Sequence, residues 1–210
     1  MRLLNLFETQ NTSDAAKELV MNYYDMKQYP FKFDIEFFYD NIDELDGYGI
    51  HEPYRVDIDI TKFPELEKLY HEAFGHWVER RVDAISYYIK NWLKNNNYIY
   101  REIVANENWV NDICKQPLGT YWSMNQETEE QWGDPSDDFV YFKMTARIPP
   151  INDIDMSTTI AQNAIDDYAD EQEIKLIPNA LVDVVRVEYR HETNEPWVAV
   201  EMNYPIRCHT

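Results

Sequence analysis

An α+β fold is predicted by two patterns in the sequence. Apolar residues recur at helical spacing through much of the first half of the chain. In the second half they alternate with polar residues, with the period of two expected of a strand that buries one face. No composition shift marks a linker between the halves. We therefore predict one domain over residues 1–210, mainly helical over residues 1–97 and strand-rich over residues 98–210.

Two helices are predicted in the first half. The first covers residues 12–26, with Thr12 or Ser13 as its N-cap. The second has the strongest apolar periodicity in the chain, follows Thr61 and ends at the asparagines of residues 95–97, with a break near Gly75 compatible with its length. Between the two helices, extended structure is predicted at two segments, residues 31–39 and 54–60.

Strands and two short helices alternate through the second half. The strands are predicted at residues 98–104, 139–148, 174–177, 181–190 and 196–204, and the helices at residues 125–132 and 160–168. The last two strands are expected to form a hairpin through residues 191–194. This order gives a strand-rich unit that follows a helical one.

The charge balance is strongly acidic. The chain has 39 acidic and 19 basic residues, a formal net charge of −20. Such a surface repels phosphates and anionic membranes, so we expect neither direct nucleic-acid binding nor membrane binding. No secretory signal peptide is expected at the first residues, and no apolar run approaches membrane-spanning length, so the expected location is cytoplasmic.

The cysteines and histidines do not form a metal-binding pattern. Cys114 and Cys208 lie far apart; a single bridge is compatible with them, but a reduced chain is the simpler expectation. His71 and His76 are five residues apart. Zinc-binding helices place two histidines four residues apart on one face, so no metal is expected here.

Three short motifs carry the chemistry that we predict. Tyr100-Arg101 ends a short strand, and Ser123 follows Thr120-Tyr121-Trp122 ahead of a predicted helix. Glu171 and Glu173 lie two residues apart at the entry to a strand, where extended backbone directs both side chains to one side. Two carboxylates in that arrangement repel each other unless they face a cation or a polar ligand.

This order of motifs resembles the mono-ADP-ribosyltransferases with an arginine–serine–glutamate signature, most closely the small transferases of T-even-like phages. The resemblance covers about residues 98–205. It implies an ADP-ribosyltransferase-like β-sandwich behind N-terminal helices, NAD as co-substrate and a protein acceptor modified on arginine. The abundance of Asn, Asp, Tyr and Ile suits a phage protein, whose place of action would be the host cytoplasm.

The resemblance also implies a role for each motif. Glu173 would stabilise the positive charge that develops on the ribose as nicotinamide leaves, and Glu171 would orient the acceptor. Arg101 would bind the NAD phosphates. A hydroxyl would hold the catalytic glutamate, either that of Ser123 or that of Thr120. Three aromatic side chains would line the nicotinamide pocket, or else belong to the core: Tyr100, Tyr121 and Trp122.

Two other classes of function remain open. The charge of −20 also suits a non-catalytic acidic inhibitor of the kind that phages make, including a nucleic-acid mimic. The high aromatic content, 15%, suits a virion or assembly component. The transferase requires the side chains of Arg101, Ser123 and Glu173 to converge on one cleft deep enough for a dinucleotide, whereas a mimic requires a row of carboxylates on an elongated face.

Overall fold

The computed structural model describes residues 2–24, 64–126, 139–165, 172–192, 195–202 and 205–210. The chain divides into two compact units, Met1–Ser86 and Tyr87–Thr210. The described part contains three α-helices and an antiparallel sheet of seven strands, which confirms the α+β class. Three of the predicted segments, residues 31–39, 54–60 and 127–132, lie outside the described residues.

The first unit is built from helix packing. Helix α1 spans Arg2–Tyr24, and helix α2 spans Pro64–Asn95 and continues into the second unit. The two helices pack through buried apolar side chains, and the ring of Tyr24 lies edge-on to that of Phe74, with 5.9 Å between centroids. The fully buried residues of this unit recur at helical spacing: Ala16, Val20, Phe74, Val78 and Val82.

The start of α1 differs from the prediction. Thr12 and Ser13 lie inside the helix and not at its start, so neither is its N-cap. The Ser13 hydroxyl donates to the Asp83 carboxylate on α2 at 3.2 Å. The prediction for α2 is confirmed over Pro64–Asn95, and the helix runs unbroken through Gly75. No helix in the described residues is long and apolar enough to cross a membrane.

The second unit is organised around the sheet. Its spatial order is β4-β2-β1-β3-β5-β6, and β7 also pairs with β5. All pairings are antiparallel. The seven strands are β1 Tyr98–Asn106, β2 Tyr121–Ser123, β3 Phe139–Arg147, β4 Glu173–Lys175, β5 Leu181–Arg190, β6 Val198–Ala199 and β7 Ile206–His209.

The two faces of the sheet differ in polarity. On β3, Val140, Phe142, Met144 and Ala146 point to one face and are at most 2% exposed. Lys143 and its neighbours on adjacent strands, Glu102 and Glu188, point to the other. We call these the apolar face and the polar face. The expected alternation over β3 is confirmed.

The strands predicted at β1, β3, β4 and β5 are confirmed. β5 has the predicted bounds, whereas the other three differ from the prediction at one or both ends. The final strand is different. Residues 196–204 contribute only β6, Val198–Ala199, which pairs with β5 as the expected hairpin partner. A further strand, β7, follows Pro205 and pairs with the first half of β5.

Helix α3 spans Met156–Ala164, and so begins before the predicted residue 160. Asp155 is its N-cap and accepts hydrogen bonds from the Thr158 amide at 3.1 Å and the Ser157 hydroxyl at 2.9 Å. An N-cap carboxylate satisfies amides that the first turn leaves unpaired, which is why the helix begins there.

Residues 107–120, here called the strap, pack on the apolar face. The strap begins with a short 3₁₀ helix, Glu107–Asp112, and the ring of Trp109 in it lies 5.0 Å from that of Phe142. Cys114 forms a disulfide with Cys208 of β7, with a Cα–Cα distance of 4.8 Å. The structure therefore differs from the expected reduced state of the cysteines. The sheet brings together two cysteines that are 94 positions apart in the sequence.

Candidate active site

Strand pairing places one residue from each of the three predicted motifs side by side in the sheet. Ser123 on β2 is paired with Glu173 on β4 and with Tyr100 on β1. The same row continues to Thr145 and Arg186 on β3 and β5. Paired residues of an antiparallel ladder point to one face. We call these five residues the Glu173 row, which spans roughly 19 Å at about 4.8 Å per strand.

The hydroxyl of Ser123 is buried beside the strand that carries Glu173. Its residue is 7% exposed, and its Oγ accepts a hydrogen bond from the Asn125 amide at 2.9 Å. Glu173 is half-buried. The residue before it, Gln172, has a left-handed backbone with φ of 47°, and its carbonyl accepts a hydrogen bond from the Met124 amide at 2.8 Å. The turn that begins β4 is thereby fixed to the end of β2.

Helix α3 holds β4 along its outer edge. The Asn163 amide group donates to the Glu173 carbonyl at 2.7 Å, and the Thr159 hydroxyl accepts from the Lys175 amide at 3.0 Å. Asn163 and Thr159 are four residues apart, so they lie on one helix face. Neither residue was predicted from the sequence to belong to the site. Their spacing and their polarity within an apolar helix were the available signal.

The cap of α3 strengthens this attachment. The Asp155 amide donates to the Lys175 carbonyl at 2.8 Å. Burial alone would raise the pKa of the Asp155 carboxyl, but hydrogen bonds from Thr158 and Ser157 and the positive charge of Lys175 outweigh that effect and lower it. Asp155 is therefore ionised at neutral pH, as an N-cap acceptor must be.

Lys175 places a positive charge at one end of the site. It lies two residues after Glu173 on β4, on the same face. Its ammonium donates to the Thr120 hydroxyl at 2.7 Å and lies 3.5 Å from the ring centroid of Tyr121. The alternative hydroxyl that the sequence offered, Thr120, is thus bonded to a cation. Tyr121 is exposed, with its ring against that cation.

Arg101 is on the opposite face from the Glu173 row. It is paired with Met144 on the apolar face, and its guanidinium donates to the Tyr121 carbonyl. It lies against Gly119 of the strap, where an added Cβ would stand 2.7 Å from Nη2. Gly119 has φ of +86°, a backbone conformation that favours glycine, and a larger residue there would also displace the Arg101 guanidinium. The structure therefore brings Arg101 close to β2 but not into the row.

Trp122 lies on the same apolar face and is 1% exposed. Its indole N–H donates to the Gly119 carbonyl at 3.1 Å. Trp122 is thus part of the core and supports the glycine that contacts Arg101. Of the three aromatic residues singled out in the sequence, Tyr100 belongs to the Glu173 row and Tyr121 flanks it.

The residue after Arg101 is buried and charged. The Glu102 side chain is 1% exposed, and its carboxylate lies 3.3 Å from Nη2 of Arg190 on β5. The Arg190 guanidinium is also 4.3 Å from the ring centroid of Trp197 and 5.4 Å from that of Tyr141. These contacts link β1 to β5 across the polar face. They could not be predicted from the sequence around Glu102.

The sheet is positively charged although the chain is acidic. Without Arg101, which lies on the apolar face, the seven strands carry six basic and four acidic residues, a net charge of +2 in a chain of −20. A cavity of about 450 Å³ opens beside this surface, lined in part by Tyr98 and Arg147. Tyr98 precedes Tyr100 by two residues on β1 and so shares its face. Both features favour an anionic ligand on the polar face.

Glu171, the first glutamate of the pair, lies outside the described residues. Within the described residues, no group of three or more His, Cys, Asp and Glu side chains could hold a metal ion. The arrangement can supply a carboxylate, a neighbouring hydroxyl and cations to a polar ligand. No protein-family model, curated protein or solved structure matches the chain.

Proposed function

We propose that this protein is an NAD-dependent mono-ADP-ribosyltransferase with an ADP-ribosyltransferase-like β-sandwich core, which modifies arginine on a target protein. One observation carries the proposal. The strands of the Tyr-Arg, Ser and Glu motifs are neighbours in the sheet, and Tyr100, Ser123 and Glu173 stand in register. The motifs are far apart in sequence, so their meeting is a property of the fold and not of local spacing.

The reaction needs what this row offers. Loss of nicotinamide from NAD leaves an oxocarbenium-like ribose, which a nearby carboxylate stabilises electrostatically. We assign that role to Glu173, with the Ser123 hydroxyl holding the carboxylate. Glu171 would orient the guanidinium of the acceptor and take up the proton that its attacking nitrogen loses. That nitrogen would form the new bond to the ribose carbon as the bond to nicotinamide breaks and nicotinamide leaves.

The charges of the sheet support a dinucleotide as ligand. NAD carries two phosphates, and Lys175 flanks Glu173 at one end of the row. The row ends at Arg186, whose guanidinium is ion-paired with the Glu188 carboxylate at 2.7 Å. The cavity at Tyr98 and Arg147 has a volume within the range of small-molecule sites, about 300–1,000 Å³. The diphosphate would interact with cations of the polar face, whereas Arg101 lies on the other face of the sheet.

Incubation with labelled NAD and a cell lysate tests the proposal. We expect Glu173→Gln to lower NAD cleavage and label transfer by about 10²–10³-fold, the usual effect of removing one preorganised electrostatic group. Glu192→Gln, which removes an exposed carboxylate outside the row, is the matched control and should keep full activity. Ser123→Ala should give an intermediate loss.

The position of Arg101 favours a second candidate, a non-catalytic acidic protein that binds a basic partner. In this structure its guanidinium is engaged by Tyr121 and the strap. If the native chain neither cleaves nor binds NAD, by nicotinamide release and calorimetry, the transferase proposal is wrong and the binding protein takes its place.

A further inference from the structure

The basic residues of the sheet differ in whether they already have partners. Three of the six that remain without Arg101 form ion pairs with carboxylates: Arg186 with Glu188, Arg190 with Glu102, and Arg207 with Asp183. A fourth, Lys175, donates to the Thr120 hydroxyl. The other two are Lys143 and Arg147, and in the described part of the chain neither forms a hydrogen bond or an ion pair.

Lys143 is buried although it carries a charge. It is 8% exposed, and its ammonium lies 5.3 Å from the ring centroid of Trp197. Glu102 and Glu188 are paired with it on the adjacent strands, but their carboxylates form ion pairs with arginines instead. A buried ammonium without an anion costs folding free energy. An anionic ligand at this position would offset that cost.

Lys143 and Arg147 lie on either side of the Glu173 row. Thr145 of that row is midway between them on β3, and residues two apart on a strand share a face. At about 3.4 Å per residue, the α-carbons of the two basic residues are roughly 14 Å apart, and both side chains are long enough to reach toward Thr145. Arg147 is exposed and lines the cavity of about 450 Å³. The two cations therefore flank the middle of the proposed site.

We propose that Lys143 and Arg147 together bind the diphosphate of a dinucleotide on the polar face, one cation to each phosphate. They take the role that the resemblance to transferases gave to Arg101. The identity of the dinucleotide as NAD rests on the proposed function. The Arg147 guanidinium can donate two parallel hydrogen bonds to one phosphate, whereas the Lys143 ammonium acts as a compact point charge on the other. The site therefore selects diphosphates over monophosphates.

Calorimetry with ADP-ribose tests the site, because this ligand carries the diphosphate of NAD but has no nicotinamide to lose. We expect the native chain to bind ADP-ribose about 10- to 100-fold more tightly than adenosine monophosphate, and Lys143→Met or Arg147→Gln to remove that difference. Lys68→Met removes a positive charge from an exposed position of α2 and is the matched control, which should bind like the native chain. Unchanged affinity in either site variant would overturn the proposal, as would a native chain that does not bind ADP-ribose.

Urea unfolding without ligand distinguishes a binding residue from a structural one. Lys143→Met should leave the free energy of unfolding unchanged or raise it, because it removes a buried charge and breaks no hydrogen bond or ion pair among the described residues. A marked loss of stability would show that Lys143 serves the fold, and its assignment to the ligand would be wrong.

NAD cleavage by the same variants separates this inference from the proposed function. If ADP-ribose binding depends on both cations but the native chain does not cleave NAD, the diphosphate site stands and the transferase is wrong. If the native chain cleaves NAD and both variants keep its KM, the transferase stands and the diphosphate site is wrong. If both are right, the KM for NAD rises about 10- to 100-fold in each variant and kcat changes less.

Discussion

Two neighbouring rows of the sheet have opposite character. The Glu173 row is polar at every strand, whereas the row beside it contains Ile174, Trp122, Met144 and Val187, all at most 1% exposed. Arg101 is the exception in the second row. A cation in an apolar row requires its own partners, and the strap and the Tyr121 carbonyl provide them.

The apolar and polar rows differ in the substitutions that they should tolerate. The residue types of the apolar row are constrained by packing, which requires side chains of a particular shape and volume. Residues of the polar rows are fixed by chemistry, either through ion pairs such as Glu102–Arg190 or through the ligand that we propose. Substitutions at Glu102 and Met144 test this difference between the polar and apolar faces.

Glu102→Ala should destabilise the sheet most. It leaves Arg190 largely buried without its carboxylate, and breaking a buried ion pair costs about 3–5 kcal/mol. Arg207→Ala, which breaks the exposed pair with Asp183, should cost much less, because solvent screens an exposed ion pair. Urea unfolding of the two variants gives the difference. Equal losses would mean that the polar face does not depend on its buried charges.

Met144→Ala compares the two rows directly. We expect a loss of about 2–5 kcal/mol in the free energy of unfolding, because a fully buried side chain leaves a cavity. Thr145→Ala, on the same strand but in the Glu173 row, is the control and should cost less than about 1 kcal/mol. The contrast between the rows would fail if the control cost as much.

Asp155→Ala should have a smaller effect than Glu102→Ala or Met144→Ala, about 0.5–2 kcal/mol, because it removes one helix cap. Its pH dependence is the sharper measurement. The pKa of Asp155 is lowered below 3.8 in the folded chain, so the carboxylate contributes its stability above that value and loses it as the pH falls through the lowered pKa. The difference between wild type and variant should be constant at neutral pH and shrink under acid conditions. A difference that grows on acidification would exclude the cap as its origin.

The sequence predicts individual strands better than it predicts which strands pair with each other. β3 and β5 are long, regular alternations, so their faces follow from their residues alone. β7 was missed because four residues after a proline give a weak pattern. The pairing of Ser123 with Glu173, and of Cys114 with Cys208, depends on the register of strands that are distant in sequence. Periodicity does not encode that register.

The same limit applies to the candidate site. The residue types of the row could be read from the sequence, whereas the face of Arg101 depends on its pairing with Met144. Likewise Thr159 and Asn163 became informative only when α3 was found beside β4. The residue types that supply the chemistry could be identified from the sequence, but the residues that lie next to them in the fold could not.

The attachment of α3 to β4 also limits how a target protein could approach. An edge strand with unpaired backbone groups invites another chain to add a strand, a common way of capturing extended peptides. Here the Glu173 carbonyl and the Lys175 amide and carbonyl are already bonded to Asn163, Thr159 and Asp155. β-Augmentation is therefore blocked at the strand that carries Glu173, so an acceptor would have to present a protruding side chain to the row.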